Sequence, residues 1–379
     1  MPGFELIGKE EATAVAEIFN EGGILFAHGF DSLRKKYHVR EFEAKSSEFF
    51  NVKYSRAVAS GTAGLKCALK AVGVRNGDEV ITQSFNFIAT IEAIIDCGAK
   101  PIMCDIDENL NLNVEDLNKK ITKRTKAIII VHMLGMGGQI EEIIDLGKKY
   151  NLPIIEDNCE AIGGKFKNSY LGTLGDIGVM SFDHGKMIAC GEGGMVLTNN
   201  KDYSDFVSQY SDHGHENNPN LPRGKDNRIM PGFNYRLTEI QAAIGKVQLS
   251  KLDFMLKENK KRFDILKQTI SPFYKIREEL PLHKGSYDTF IFKVKDPLLR
   301  TKIINFIKKS NFGTKNLPDA MEWHCSFFWG HALDEDQIYN SKKSYQILIN
   351  QIAIPIFLKK SIDEYQKLGD GIASILCQD

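Results

Sequence analysis

Residues 175–200, GDIGVMSFDHGKMIACGEGGMVLTNN, hold one lysine in a run of small and apolar residues and close on three glycines around a glutamate. The stretch reads as a short apolar strand, a turn and a second apolar strand. Lys186 stands on that turn, between two core strands, whereas nearly every other lysine falls where water can solvate it. A lysine there is either held up to a site or badly placed. Upstream, YSRAVAS, DEVITQS, KPIMCDI, KAIIIVHML and LPIIEDN alternate with helix-length segments such as GTAGLKCALKAVG and FNFIATIEAIIDCG. Strands that are apolar along their whole length and separated by helices imply a mainly parallel sheet covered on both faces. An α/β layered sandwich is therefore expected from about residue 54 to 200.

The chain has 379 residues, beyond the usual size of a single core, and 42% of them are hydrophobic. One large unit and one smaller unit are expected. The long amphipathic run YRLTEIQAAIGKVQLSKLDFMLKENKKRFDILKQTI precedes a second α+β pattern that includes YDTFIFKV, which puts the boundary near residue 250: a large unit over 1–250 and a small one over 251–379. Lys plus Arg and Asp plus Glu both number 49, so no charge excess points to nucleic acid or an anionic membrane as partner. Cys67, Cys97, Cys104, Cys159, Cys190, Cys325 and Cys377 are scattered, form no C-x-x-C and sit partly in apolar strands, as in a reducing cytoplasm. The charges in MPGFELIGKEEATAVAEIF exclude a signal-peptide core, and no run approaches about 18 apolar residues. A soluble, cytoplasmic protein is the expectation.

In such a sheet, ligands bind at the carboxyl ends of the strands. After YSRAVAS, Gly61-Thr62-Ala63 opens a helix, where free N–H groups and the positive end of the dipole suit a phosphate; a plain Ser60/Thr62 cap would explain the residues as well. After DEVITQS comes Phe87, a stacking face or a core residue. After LPII comes Glu156-Asp157-Asn158-Cys159-Glu160, whose acids close a strand in a pocket or on a solvated loop. After IGVM come Ser181 and then Lys186. A phosphate cradle, an aromatic slab, a carboxylate and an amine together are what pyridoxal phosphate requires. No G-x-x-x-x-G-K-[ST] occurs, and the glycine runs near 135 and 191 do not fit G-x-G-x-x-G. His213, His215 and Glu216 lack a further ligand at metal-site spacing, so no metal is assigned.

SGTAGLKCAL, SFNFIAT, PIMCDID, IIEDNCEAIGG, LGTLGDIGVMSFDHGKMIACGEGGMVLTNN and GFNYRLTEIQAAIGKVQL, in this order, resemble the DegT/DnrJ/EryC1/StrS family of pyridoxal-phosphate-dependent sugar aminotransferases. The resemblance covers residues 1–250 well and the C-terminal third loosely. It implies the aspartate aminotransferase-like fold (fold type I), a three-layer sandwich with a smaller C-terminal α+β domain, and a homodimer with shared sites. Lys186 would carry the cofactor and, once freed by an amino donor, move a proton between Cα and C4′; burial beside a cationic ring should lower its pKa. Asp157 would pair with the pyridine nitrogen and Phe87 would stack on the ring. Gly61, Thr62, Ser181 and Asn234 of the partner subunit would hold the phosphate. Glu160 replaces a glutamine that in the family meets the ring's O3′, so it must be protonated, displaced or bonded to something else. A family branch with histidine at the lysine position is a dehydratase; the spacing assigns that position to Lys186 and not to His184.

The resemblance implies transfer from an amino acid, L-glutamate for preference, to a keto or aldehydo carbon in surface polysaccharide synthesis. MPGFELIG, SDHGHENN at 211 and the Trp-His at 323 are most similar to the branch that makes 8-amino-3,8-dideoxyoctulosonate. A sugar, sugar acid or small phosphorylated keto-polyol is therefore the expected acceptor, against a nucleotide-linked keto-deoxysugar or a dehydratase reaction; a non-enzymatic binding module would have lost one of Lys186, Asp157 and Ser181. Trp323 and His324, with Trp329 and His331 nearby, suit a polyhydroxylated ligand or a small-domain core. Arg223, Lys225 and Arg228 could meet a carboxylate or phosphate, or form a solvated loop.

Overall fold

Along Thr125–Val131, Ile129 and Val131 enter one hydrophobic core while Ile128 and Ile130 enter another, because successive strand side chains leave on opposite faces. Gly194–Thr198 repeats this: Val196 goes to the first core, Met195 and Leu197 to a further one. Both faces of the sheet are thus buried, which is why its strands read as unbroken apolar runs. The computed structural model describes residues 2–218 and 220–376. Strands β1 Tyr54–Val58, β2 Glu79–Gln83, β3 Lys100–Cys104, β4 Thr125–Val131 and β5 Ile154–Asp157 are followed by the short β6 Lys165–Phe166 and β7 Ser169–Tyr170, then β8 Ile177–Ser181 and β9 Gly194–Thr198. The main sheet runs β1-β9-β8-β5-β4-β2-β3. Only β9 is antiparallel to its neighbours. The segment that opens the sequence reading is therefore an antiparallel pair inserted into a parallel sheet.

Helices cover both faces and make the three layers. In chain order the first four are α1 Pro2–Glu5, α2 Lys9–Asn20, α3 His38–Phe50 and α4 Gly61–Ala71. Leu65, Ala68 and Leu69 of α4 pack with Val179 and Val196 on one side. Phe42 of α3 joins Ala242 and Leu249 against Met180 and Leu197 on the other. The amphipathic run at 239–270 is two helices, Glu239–Ser250 and Leu252–Ile270, divided at Lys251. Lys251 Nζ is held there by Glu11 at 2.6 Å and Glu10 at 2.7 Å.

Beyond the break, β10 Lys275–Ile276, β12 Thr289–Lys293 and β13 Gln351–Pro355 form an antiparallel sheet, while β11 His283–Lys284 joins β6 and β7. Phe263, Phe290, Phe292, Ile354 and Tyr365 form its core with the helices Leu252–Ile270 and Ile362–Leu376. We place the boundary between the two units at residue 250. They do not part cleanly, because Ile291, Leu317, Cys325 and Leu348 pack into the core of the main sheet. The six cysteines of the described residues are free, and Cys377 lies outside those residues. No helix of the described residues is long and apolar enough to cross a membrane.

Helix α4 lies tightly on the sheet, since a Cβ added at Gly64 would stand 2.8 Å from Val179 Cγ1. Gly64→Ala should cost about 1–3 kcal/mol of stability through overpacking, read as a lowered urea midpoint. Gly224→Ala, where a Cβ meets nothing within 4 Å, should leave the midpoint unchanged; equal midpoints for both variants would contradict the close packing.

Candidate active site

The carboxyl ends of β1, β2, β4, β5 and β8 meet around a cavity of about 390 Å³, closed on one side by Lys315, Asn316 and His324 of the C-terminal unit. Helix α4 begins at its edge. Ser60 caps the helix, its Oγ accepting from Ala63 N at 3.1 Å, and its carbonyl accepts from Gly64 N at 3.0 Å. This leaves the N–H groups of Gly61 and Thr62, both in the cavity wall, without an intrahelical acceptor. The Ser60 cap is thus observed, and it leaves these two N–H groups facing the cavity. A Cβ at Gly61 would lie 2.8 Å from Ser181 Cβ, so only glycine lets the helix start approach the Ser181 hydroxyl.

Three acids within five residues of β5 and its end have three different fates. Glu156 and Asp157 leave the strand on opposite faces. Glu156 is fully buried, 2.8 Å from His132 Nε2, and accepts from the N–H groups of Gly172, Leu174 and Gly175 at 2.6–2.7 Å. Burial pushes its pKa up, but His132 and these donors outweigh it and hold the carboxyl below its ordinary range. It organises the 171–175 loop. Asp157 lines the cavity, buried, with Oδ2 accepting from Thr90 Oγ1 at 2.9 Å and Oδ1 from Cys159 N at 3.2 Å. These bonds fix the carboxylate's direction.

Glu160 is the third. Its carboxylate accepts from Asn316 Nδ2 at 3.2 Å and Leu134 N at 3.4 Å, stands 3.5 Å from Lys186 Nζ and 4.0 Å from His324 Nε2. Burial raises its pKa, yet Lys186, Lys315, His324 and Asn316 prevail and bring it down to about 2. Of the three outcomes open to this carboxylate, the structure shows bonding to other partners in the ionised form. For Lys186, the expected fall in pKa is reversed: burial lowers it, but the Glu160 carboxylate leads the groups that raise it above its ordinary value. The lowering argument took account of burial and a cationic ring but not of this neighbouring charge. His324 has its pKa lowered, chiefly by burial.

Gly61, Thr62, Phe87, Asp157, Glu160, Ser181, Lys186 and His324 thus meet in one cavity. Phe87 stays 42% exposed, its ring 5.4 Å from that of His324 and 6.4 Å from that of Trp323. Trp323 is exposed and does not line the cavity, and Trp329 is buried in a core with Ile88, Ile91 and Met103. Arg223, Arg228 and Asn234 do not line the cavity. Arg223 is instead spent on Asp212, with Nη1 2.6 Å from Oδ2, and Arg236 joins the same carboxylate at 2.7 Å. Arg228, Lys225 and Asn234 are exposed. His184 stacks on Phe4, with centroids 4.8 Å apart, and does not line the cavity. Thr90, Lys315 and Asn316 were missed. Lys315 is tied to Asp288 at 2.7 Å, and nothing in GTKNLP marks Lys315 or Asn316 as part of a site whose strand-end residues lie far earlier in the sequence.

The site fits pyridoxal phosphate. An anion cradle that any Cβ at Gly61 would fill, a buried carboxylate, an accessible aromatic face and a buried amine share one space, and the group would be held by Gly61, Thr62, Ser181, Asp157, Phe87 and Lys186. These features define a lysine-dependent enzyme of the α/β class. Residues 8–366 match the model of the DegT/DnrJ/EryC1/StrS aminotransferase family, and the chain belongs to that family. It is a pyridoxal-phosphate-dependent aminotransferase with the aspartate aminotransferase-like fold. The chain is 39% identical over 257 residues to the GDP-perosamine synthase of Escherichia coli O157:H7, covering 68% of each chain. An uncharacterized protein of Methanocaldococcus jannaschii is 31% identical over 98% of this chain and 96% of its own. Among solved structures, the aminotransferase from Psychrobacter cryohalolentis has the same fold, with a TM-score of 0.87, 24% identity and 98% of both chains covered.

Glu160→Gln tests the ionised carboxylate. A folded pKa of about 2 against an ordinary 4.5 gives stability that is present above pH 4.5 and lost as the pH falls towards 2. The urea midpoints of wild type and Glu160→Gln should differ most near neutral pH and converge through that window. A constant difference from pH 6 to pH 2.5 would mean that Glu160 does not titrate as described.

Proposed function

We propose that the chain moves an amino group from an amino acid, with L-glutamate as donor, to the keto or aldehydo carbon of a sugar, sugar acid or small phosphorylated keto-polyol used in surface polysaccharide. The observation that carries the amino transfer is Lys186 in the wall of the same cavity as Asp157, Ser181 and the start of α4. When bound, pyridoxal phosphate supplies an electron sink for the carbon that bears the amino group. Gly61, Thr62 and Ser181 bind the phosphate. Asp157, oriented by Thr90, holds a proton on the ring nitrogen, and Phe87 orients the ring by stacking. Lys186 Nζ would move the proton at the donor's α-carbon, which it could do only as the neutral amine. Glu160 holds that amine protonated until the cofactor and substrate enter.

The cavity supports a small acceptor. Its inner wall presents Asn316 and His324, which suit hydroxyl and carboxylate groups, and Trp323 with Phe87 at the rim suits a polyhydroxylated chain. The loop that would meet a diphosphate spends one of its three cations, Arg223, on Asp212. A second reading, a nucleotide-linked keto-deoxysugar, is favoured by the 39% identity to a GDP-perosamine synthase. Dehydration has less support, because the cavity wall carries Lys186 and not His184. We also assign Asn234 to the phosphate of a partner subunit in a homodimer: it is exposed, beside the exposed Phe233 and Ile229, and belongs to no wall of its own chain's cavity.

Glutamate added to the cofactor-loaded protein should shift the visible absorbance to that of the pyridoxamine form, and Lys186→Ala should lose turnover by about 10³-fold or more while staying folded. Near wild-type turnover in that variant would sink the assignment of Lys186. The pyridoxamine form should be reoxidised by a non-nucleotide keto or aldehydo polyol about ten-fold more efficiently than by a nucleotide-linked 4-keto-hexose, a preference of about 1.4 kcal/mol. The reverse ranking would select the second reading.

Mixing Lys186→Ala and Asn234→Ala chains should restore activity, since a mixed dimer holds one intact site. No recovery, with subunit exchange verified by mass spectrometry, would exclude a shared site.

A further inference from the structure

The opening residues of the chain pack on the back of the turn that bears Lys186, and neither the cavity nor the catalytic assignments use them. Within that turn, Lys186 N donates to Asp183 O at 3.0 Å, Cys190 N to Phe182 O at 3.0 Å and Gly185 N to Asp183 Oδ1 at 2.8 Å. Those bonds shape the turn from inside. From outside, Gly3 presses against it: a Cβ at Gly3 would stand 2.4 Å from the carbonyl oxygen of Lys186, 2.8 Å from that of Met187 and 3.0 Å from Ala189 Cβ. No side chain fits there without moving the backbone of the lysine itself. Phe4 lies on His184, two residues before the lysine, with rings 4.8 Å apart and 28° from parallel.

The same segment is fastened at its other end to the C-terminal unit. Glu5, 8% exposed, accepts from Leu358 N at 2.8 Å through Oε2 and from Lys359 N at 3.1 Å through Oε1. Leu358 O and Lys360 O in turn accept from Arg262 of the helix Leu252–Ile270 at 3.0 and 3.1 Å. Leu6 packs into the core that holds Met187 and Ile188, and its carbonyl accepts from Lys251 Nζ at 3.0 Å. Gly3 and Phe4 therefore touch the lysine turn, one by shape and one by ring contact, and Glu5 beside them anchors the segment to a different unit through a buried carboxylate.

We propose that Gly3, Phe4 and Glu5 form a strap that positions Lys186, setting where its backbone, and hence Nζ, stands in the cavity. None of the three lines the cavity, so they are positioning residues. A displacement of about 1 Å at a reacting atom is enough to cost orders of magnitude in rate, and Gly3 is the point at which an added methyl would impose one. The inference rests on the pyridoxal-phosphate reading of the site and not on the choice of acceptor.

The test separates docking of the cofactor from its capture by the lysine. Pyridoxamine phosphate docks without a bond to Lys186. Pyridoxal phosphate joins it: the neutral Nζ adds to the aldehyde carbon, a C=N bond replaces C=O, and the oxygen leaves as water with the two amine protons. With cofactor-free full-length protein, Gly3→Ala should keep its pyridoxamine phosphate affinity within about two-fold of wild type, while its capture rate for pyridoxal phosphate falls about ten-fold or more. In the loaded enzyme, kcat should fall with the acceptor KM unchanged. Glu5→Gln and Phe4→Leu add no bulk and should show the same split at about two- to five-fold, so they carry the test if Gly3→Ala fails to fold. Wild-type capture rates in the folded variants would overturn the proposal. So would equal losses for both cofactor forms, which would make the segment a general stabiliser. Wild-type protein that bound neither form would overturn the functional reading before any variant was compared.

Discussion

The start of α4 and the β8–β9 turn can lie side by side only because glycine stands on both sides of the contact. A Cβ at Gly61 would meet Ser181, and one at Gly194 would lie 2.6 Å from Ser60 O and 2.9 Å from Gly61 N. This contact puts an anion-binding helix terminus beside the strand whose turn raises Lys186. β9 comes back antiparallel beside β8, and the connection between them carries Lys186. The position of the helix start and that of the lysine turn are thus two consequences of one close backbone approach.

The carboxylates of the site show how burial and partners sort groups of the same chemistry. Alternation along β5 sends Glu156 to one face, where His132 and three N–H groups consume it, and Asp157 to the other, where Thr90 Oγ1 and Cys159 N bond it. The first is saturated with donors and can do nothing but hold a loop. The second faces the cavity, held in direction by two bonds. Glu160, past the strand end, gathers nitrogen donors from both units and so links the lysine to the inner wall. A glutamine there could bond Asn316 but could not hold an ammonium by charge.

The layered fold and most of the strand-end residues were legible in the sequence because each rests on a local rule. Apolar runs bounded by helices report a parallel sheet, and residues just after a strand fall at one edge of it. Lys186, Asp157, Gly61 and Ser181 all follow from that rule. It does not reach Lys315 and Asn316, which enter the cavity from a loop of another unit and carry no periodic signal. Arg223 failed for a different reason: its charge marked it as available, and only the fold brings Asp212 within 2.6 Å to claim it. The break at Lys251 was equally hidden, since the residues on both sides of it are good helix formers and no glycine or proline marks the position.

The C-terminal unit is built into the site and is not a flap hung beside it. Cys325 bridges Phe85, Asn86 N donates to His324 O at 3.1 Å and Ser326 N to Ser84 O at 2.9 Å, so residues 324–326 pair antiparallel with the chain just past β2. Leu317 and Cys325 are buried in the core of the main sheet, and Asn316 reaches Glu160 from the same segment. Opening this side would break backbone bonds and expose core residues, at a cost of several kcal/mol by ordinary burial values. The inner wall is therefore preorganised with the lysine. Access comes from the side where Thr62 and Phe87, both in the cavity wall, are exposed.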